Sequence, residues 1–257
     1  MIYVTLLLLL LFIFYMVFKA HHDTIDYRTI YDHRLPIDFD NYKIFFITDI
    51  HRRIIHEKTL KQIKTQIDLV LIGGDLTEKG VPFPRTRCNL QKLQKLGAPI
   101  YFVWGNNDYE VSINMLKDIL NDEDVTSLND THINIVRNGK VISLFGFDDD
   151  EDNDDRQQIS WDNVKGDYFI LLTHKPSSFY QLTTEKRKRF QTVFAGHTHG
   201  GQIRLFGLGF YEKGGLKTYQ DTNIFISEGY GYTFLPFRLQ TNAECHVITL
   251  KKFKNLQ

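Results

Sequence analysis

The sequence predicts an α/β protein, a mainly parallel sheet with helices on its faces, preceded by an apolar segment long enough to cross a membrane. Three observations carry this expectation. From Asn41 onward, short apolar runs rich in β-formers alternate with stretches of helical character. Parallel strands joined by crossover helices produce that alternation. The second half adds a hairpin signal and further strands, and residues 1–18 contain no charged side chain.

The apolar segment comes first. Leucines fill positions 6–11, and Lys19 ends the run. A spanning helix needs about 20 apolar residues, with roughly 17 as the lower limit. Residues 1–19 are therefore expected to form a single-pass anchor in the cell membrane. A cleaved signal peptide would carry a basic region ahead of the leucines and a small-x-small site before residues 19–21, and neither is present. Lys19, Arg28 and Arg34 follow the segment while no basic side chain precedes it, so the positive-inside rule favours a cytoplasmic domain. The bias is a few charges only, and export stays an alternative. Residues 20–40 are polar and mixed, interrupted by Pro36, and are expected to be a linker to a domain spanning residues 41–257.

Within that domain, residues 43–48 (KIFFIT) form the first strand and 58–67 a helix. Residues 69–72 (LVLI) form a second, buried strand. Residues 87–96 form a second helix, ended by Gly97 and Pro99, and 100–104 (IYFVW) a third strand. Residues 132–136 and 141–145 flank Asn138-Gly139, a strong hairpin signal. Further strands are expected at 168–173, 192–195, 224–227 and 246–250. The acidic run 148–155 (DDDEDNDD) reads as a solvated loop, or as a loop near a cation site that contributes Asp148 or Asp149.

Size and charge narrow the function classes. After the anchor, the remaining length and a 42% hydrophobic content suit one domain with a sizeable core. The 31 basic and 31 acidic residues balance, which argues against a general nucleic-acid binder. Cys88 and Cys245 belong to no C-x-x-C pattern and are expected to be reduced packing residues. The ten histidines are more informative, because imidazole is the commonest metal ligand.

Five short motifs fall at the ends of predicted strands: Asp49-Ile50-His51, Gly73-Gly74-Asp75, Gly105-Asn106-Asn107-Asp108, Thr173-His174-Lys175-Pro176 and Gly196-His197-Thr198-His199. Open α/β sheets place ligands beyond the carboxyl ends of their strands. In extended chain, residues i and i+2 point to the same side, so Asp49 with His51, and His197 with His199, would address one region. Glycines at 73, 74, 105 and 196 let backbone approach a ligand closely. The donors are oxygen and imidazole nitrogen without thiolate, which suits Mn, Fe or Zn and not a structural Cys-type zinc site. Each motif alone is weak. Five in order, all at strand ends, point to a metal centre.

Together these motifs resemble the calcineurin-like metallophosphoesterase family, over roughly residues 42–250. Gly196-His197-Thr198-His199-Gly200-Gly201-Gln202, with Gly229, Gly231, Pro236 and Arg238, looks like a bacterial membrane-associated, phosphodiesterase-like subgroup. The resemblance implies a four-layer αββα sandwich of two mixed sheets flanked by helices, carrying two divalent metal ions (Mn, Zn or Fe). It implies that Asp49, His51 and His199 hold one ion, that Asn106, His174 and His197 hold the other, and that Asp75 bridges them. A hydroxide between the ions would be the nucleophile of phosphoester hydrolysis. Two cations, two ionised Asp ligands and that hydroxide leave a net charge of about +1 to meet a phosphate, and metals can lower the pKa of bound water from about 15.7 to near 7. The implied substrate is a phosphoester, with lipid-linked and nucleotide-containing compounds as candidates.

One position departs from the family pattern. The family carries Gly-Asn-His-Asp or Gly-Asn-His-Glu at the third motif, and its His protonates the leaving oxygen; here Asn107 replaces it. Asn has no titratable proton. The catalytic set expected from the resemblance is thus Asp75, Asn106 and Asp108, with an N-terminal cap as the competing role for Asp108. The Asn107 replacement also keeps open a weakly active or non-enzymatic metal-binding module. A nuclease is a third reading, disfavoured by the neutral charge and the anchor. Arg52 and Arg53 could meet a phosphate or lipid headgroups, or be plain surface. Tyr230 and Tyr232 could line a cleft or pack in the core.

Overall fold

The computed structural model describes residues 1–149 and 164–253. Helix α1 (Ile2–His21) leads the chain. Its 20 residues span about 30 Å, the thickness of a bilayer's hydrocarbon core. Only Met16 and Ala20 on it are buried.

The rest builds two six-stranded mixed sheets. The first runs β1 (Asp23–Asp32), β12 (Ala243–Lys252), β2 (Tyr42–Ile47), β3 (Leu69–Ile72), β4 (Ile100–Phe102), β5 (Val125–Ser127). Strands β2 to β5 are parallel, β12 is antiparallel to β2, and β1 is parallel to β12. The second runs β10 (Gly215–Tyr219), β11 (Thr222–Ile226), β9 (Thr192–Ala195), β8 (Tyr168–Thr173), β7 (Lys140–Phe147), β6 (Thr131–Arg137). Here β11, β9, β8 and β7 are parallel, and both edge strands pair antiparallel.

Strand periodicity sorts the side chains into layers. On β2 and β3, Ile44, Phe46, Leu69 and Leu71 face the second sheet, meeting Leu144, Ile170, Leu172 and Phe194. Phe45, Ile47, Val70 and Ile72 face the other way, onto helices α3 (Phe83–Gln94) and α4 (Ile113–Asp122) through Leu90, Leu93, Leu116 and Ile119. Phe145, Leu171 and Val193 point out of the second sheet toward Phe190 and Phe179, the latter on α5 (Pro176–Tyr180). Both faces of each sheet are therefore apolar, which is why the strands read as unbroken hydrophobic runs. The result is the expected sandwich of two sheets between helices.

Several elements differ from expectation. Residues 20–40 are not a free linker, since β1 occupies Asp23–Asp32 and lies alongside β12. The cause is Asp23, whose carboxylate accepts from Arg53 Nη2 (2.6 Å), Thr59 Oγ1 (2.6 Å) and Tyr230 OH (2.5 Å). The helix expected at 58–67 is a single turn, α2 (Glu57–Leu60). Asp68 draws the chain into the sheet: its N donates to Lys43 O (2.8 Å), and its Oδ2 accepts from Lys43 N (2.8 Å). The turn left ahead of it is too short to propagate a helix. Strands β5 and β10 and helix α4 lie outside the sequence expectation. Cys245 is buried as expected, but Cys88 sits on the exposed side of α3.

Candidate metal centre

The five motifs follow β2, β3, β4, β8 and β9, so carboxyl ends from both sheets deliver side chains to one place. The backbone there is not extended. Asp49, His51, Asp75, His197 and His199 have φ of 54°, 50°, 49°, 69° and 48°. The i, i+2 pairs therefore converge through left-handed turns, not through strand alternation as the sequence suggested. Such conformations cost roughly 1–3 kcal/mol each and persist where surroundings over-determine them. Here the turns are tied together: Ile50 N donates to Asp75 O (2.8 Å), Asp49 N to Gly74 O (3.0 Å) and Gly231 N to Asp49 O (2.6 Å). Gly74 leaves no room for a side chain, because a Cβ there would stand 2.6 Å from His174 Nδ1.

Two clusters result. In the first, His199 Nε2 lies 3.1 Å from His51 Nε2 and 3.3 Å from Asp49 Oδ1. In the second, His174 Nε2 lies 3.3 Å from Asp75 Oδ2 and 3.2 Å from His197 Nδ1. The same Asp75 oxygen is 3.6 Å from His51 Nε2, so it stands between the clusters, while Asn107 N donates to its other oxygen (2.8 Å). Asn106 Oδ1 is buried without a hydrogen-bond partner. The structure thus gathers Asp49, His51, Asp75, Asn106, His174, His197 and His199 around one site.

Those residues fit a pair of divalent cations. Ligands about 2.1 Å from a shared ion stand about 3.0–3.4 Å apart, close to the spacings within each cluster. Imidazole nitrogens facing one another need a proton or a cation between them, and so does the orphaned Asn106 oxygen. The outer ring nitrogen of His174 is oriented, since Nδ1 donates to Gly73 O (2.9 Å), while His51 Nδ1 lies 2.9 Å from Glu78 Oε2 at ion-pair distance but without hydrogen-bond geometry. The His174 bond fixes the tautomer that turns the inner nitrogen toward a metal.

Charge shifts report the same crowding. Burial alone would lower His174, but the Asp75 and Asp49 carboxylates outweigh it and push it up to about 10. Burial works against Asp75, yet His174 and His51 hold it well below the usual carboxylate range. Burial raises Asp49. Burial and the His174 charge push His197 down to about 4. Cations binding here replace protons on imidazole.

Other expected residues fall outside the cluster. Asp108 is not at the cleft. It is fully buried, its Oδ2 accepting from Gly105 N (2.9 Å) and its Oδ1 from Thr77 N (2.9 Å), and it positions the Gly105-Asn106 turn. Burial and the Asp75 charge push its carboxyl up to about 8. Arg53 is buried against Asp23, whereas Arg52 pairs with Glu78 and lines the cleft. Tyr230 is a core residue. Asp148 accepts from Tyr109 OH (2.5 Å) and Asp149 lies 3.1 Å from Lys175 Nζ, so neither joins a ligand cluster. The remainder of the acidic run, 150–155, lies outside the described residues. Glu78 was missed from sequence, because nothing in its spacing marks it. A cleft of about 790 Å³ opens over the cluster, rimmed by Arg52, Asn107, Phe210, Tyr211 and Phe234.

Residues 42–201 match the calcineurin-like phosphoesterase family. YpbG of Bacillus subtilis (strain 168) is 38% identical over 209 residues, covering 80% of each chain. A Danio rerio protein named as a transmembrane protein with metallophosphoesterase domain is 26% identical over 243 residues, which span 85% of this chain and 55% of that one. The crystal structure of TT1561 from Thermus thermophilus is similar at a TM-score of 0.51 and 11% identity, covering 73% of this chain and 89% of that chain. At that identity the likeness is one of fold.

Proposed function

The chain belongs to the calcineurin-like phosphoesterase family and is a metallophosphoesterase; from that premise we propose that it is a membrane-anchored phosphodiesterase with a dinuclear metal centre. The observation that carries this reading is Asp75 Oδ2, 3.6 Å from His51 Nε2 and 3.3 Å from His174 Nε2, with Asp49 within reach of both donor groups. Asp49, His51 and His199 would hold one ion, and Asn106, His174 and His197 the other, with Asp75 shared. The donor set suits Mn, Zn or Fe. When bound, such a pair supplies an acidified water as nucleophile and positive charge against the phosphate.

The chain's own residues do the rest. Arg52, at the cleft rim and steadied by Glu78, is placed to meet a phosphate oxygen. Phe210, Tyr211 and Phe234 offer apolar walls to the substrate's organic part. Asn107 Oδ1 accepts from Asn106 Nδ2 (2.8 Å), which leaves its own amide N–H groups for the leaving oxygen. An amide stabilises an anion there but gives it no proton. The site therefore suits leaving groups that depart as stable anions. Helix α1 is the anchor, in keeping with the relative named as transmembrane, and the basic residues after it favour the cytoplasmic face.

The test is hydrolysis of bis(p-nitrophenyl) phosphate by the full chain in detergent with added manganese. Turnover should require the metal and vanish in Asp75→Asn. A chain that loads manganese yet hydrolyses nothing would overturn the reading. It would instead favour the second one, supported by Asn107, in which the centre is a metal-binding module without turnover. Activity appearing only in Asn107→His would support that second reading.

A further inference from the structure

Two loops of the second half expose large apolar side chains that no described residue covers. Phe206, Phe210 and Phe234 are 98%, 98% and 93% exposed, and Leu205, Leu208 and Leu235 join them. Contiguous exposed patches of this kind mark a surface that meets another phase or partner. The geometry is built. Leu205 and Leu208 exchange both backbone hydrogen bonds (2.9 and 2.8 Å), making a two-residue hairpin turn of Phe206 and Gly207. Both turn residues are left-handed, with φ of 50° and 81°. Asn or Gly ordinarily fills the first of these positions, so a phenylalanine there, pointing into open space, has no local explanation.

The occupant is indicated by what lies beside the turn. Gly207 N donates to Gln240 Oε1 (2.9 Å), and the neighbouring Arg238 N donates to Met16 O of α1 (3.1 Å). Lys19 Nζ donates to Asn242 Oδ1 (2.8 Å). Tyr15, Lys19, Gly207 and Lys213 line one groove. The hairpin tip thus sits level with the last turns of α1, where an apolar helix gives way to Lys19 and His21. That is the depth of the lipid headgroups, where aromatic and basic side chains collect. The domain is tied close to that surface, because Arg53 Nη1 donates to Ala20 O (2.8 Å) and β1 begins at Asp23.

We propose that the 203–211 loop and the Phe234-Leu235 tip enter the bilayer interface beside α1, so that the metal centre's cleft opens onto the headgroups and takes a phosphoester carried by a lipid. The link is direct, since Phe210 and Phe234 of this patch also line the cleft with His197 and His199. The docking part stands on α1 being a membrane anchor, and the substrate part on the hydrolase reading.

The test uses the full chain reconstituted in phosphatidylcholine–phosphatidylglycerol vesicles containing acyl-brominated lipid. Phe206→Trp should be quenched by the bromines. Val136→Trp, exposed beside the Asn138-Gly139 turn at the opposite ends of the strands, should not be. A Phe206→Trp signal no more quenched than Val136→Trp, as when another protein covers the loop, would overturn the docking. Turnover is read separately on two p-nitrophenyl phosphodiesters, one soluble and one bearing a long alkyl chain seated in the vesicles. Phe206→Ser with Leu208→Ser should slow the tailed substrate several-fold and leave the soluble one unchanged. Equal rates on the tailed substrate before and after substitution would overturn the lipid assignment. Quenching needs no turnover, so a chain inactive on both esters ends the hydrolase reading and the lipid assignment together, while the docking is still decided by the spectra.

Discussion

Two histidines of the candidate centre have a hydrogen bond at the far nitrogen, His174 to Gly73 O and His199 with Arg238 Nη2. His51 leans on Glu78, which also pairs with Arg52. Glu78→Gln should weaken manganese binding about 10- to 100-fold, the usual loss when the carboxylate supporting a ligating imidazole changes, and competition against a chelator reads this directly. Asn107→His should restore a leaving-group acid. Turnover of alkyl phosphodiesters should then rise about 10²- to 10⁴-fold, with little gain on p-nitrophenyl esters, which need no proton. Equal gains on both would mean that the imidazole acts otherwise. The residues that the structure brings together were legible in the sequence as candidate ligands because Asp, Asn and His recur just past apolar runs. Glu78 was not legible, since a carboxylate three residues after a ligand has no spacing signature. Asp108 was left open between catalysis and a capping role, and its carboxylate accepts from Gly105 N as a cap does. Its sequence neighbours say nothing about burial, and burial makes it a brace for Gly105 and Thr77.

The strands were the readable elements, because both faces of each sheet are covered and apolar runs mark them unambiguously. Short or polar pieces were hidden. β10 is largely exposed and β5 is three residues long. β1 mixes charged, polar and apolar residues without a period of two at a sheet edge, and only its pairing with β12 defines it. The left-handed turns that converge the ligands were hidden too, since Asp and His give no sign of φ. What locks β1 and α1 to the domain is the Asp23 carboxylate with Arg53. Asp23→Asn leaves a buried guanidinium without its partner and should destabilise the chain by about 3–5 kcal/mol. Burial works to raise Asp23, but Thr59, Tyr230 and Arg53 hold it below its ordinary 3.8. A lowered carboxylate contributes stability above its unfolded value and loses it as pH falls through the folded one. The gap in melting temperature between wild type and Asp23→Asn should therefore be constant from neutral pH down to about 5, and should narrow below about pH 4. A gap that holds steady to about pH 3 would show that this carboxylate's charge is not what stabilises the junction.

At the scale of the whole molecule, two sheets and an apolar N-terminal helix form one arrangement. The sandwich brings strand ends from both sheets to a common edge, and α1 is tied to the same side of the domain through residues 238–242. Length and apolarity made the long apolar helix legible from residues 1–18, while its junction with the domain was not, because that rests on Asp23 and Arg53, thirty residues apart. The proposed activity requires that seven side chains, Asp49, His51, Asp75, Asn106, His174, His197 and His199, share a pair of cations. The most direct measurement is the metal content of the full chain in detergent, loaded with manganese and freed of excess. The arrangement predicts two ions per chain, with Asp75→Ala retaining fewer. Less than one ion per chain in the wild type, or a content unchanged by Asp75→Ala, would contradict it.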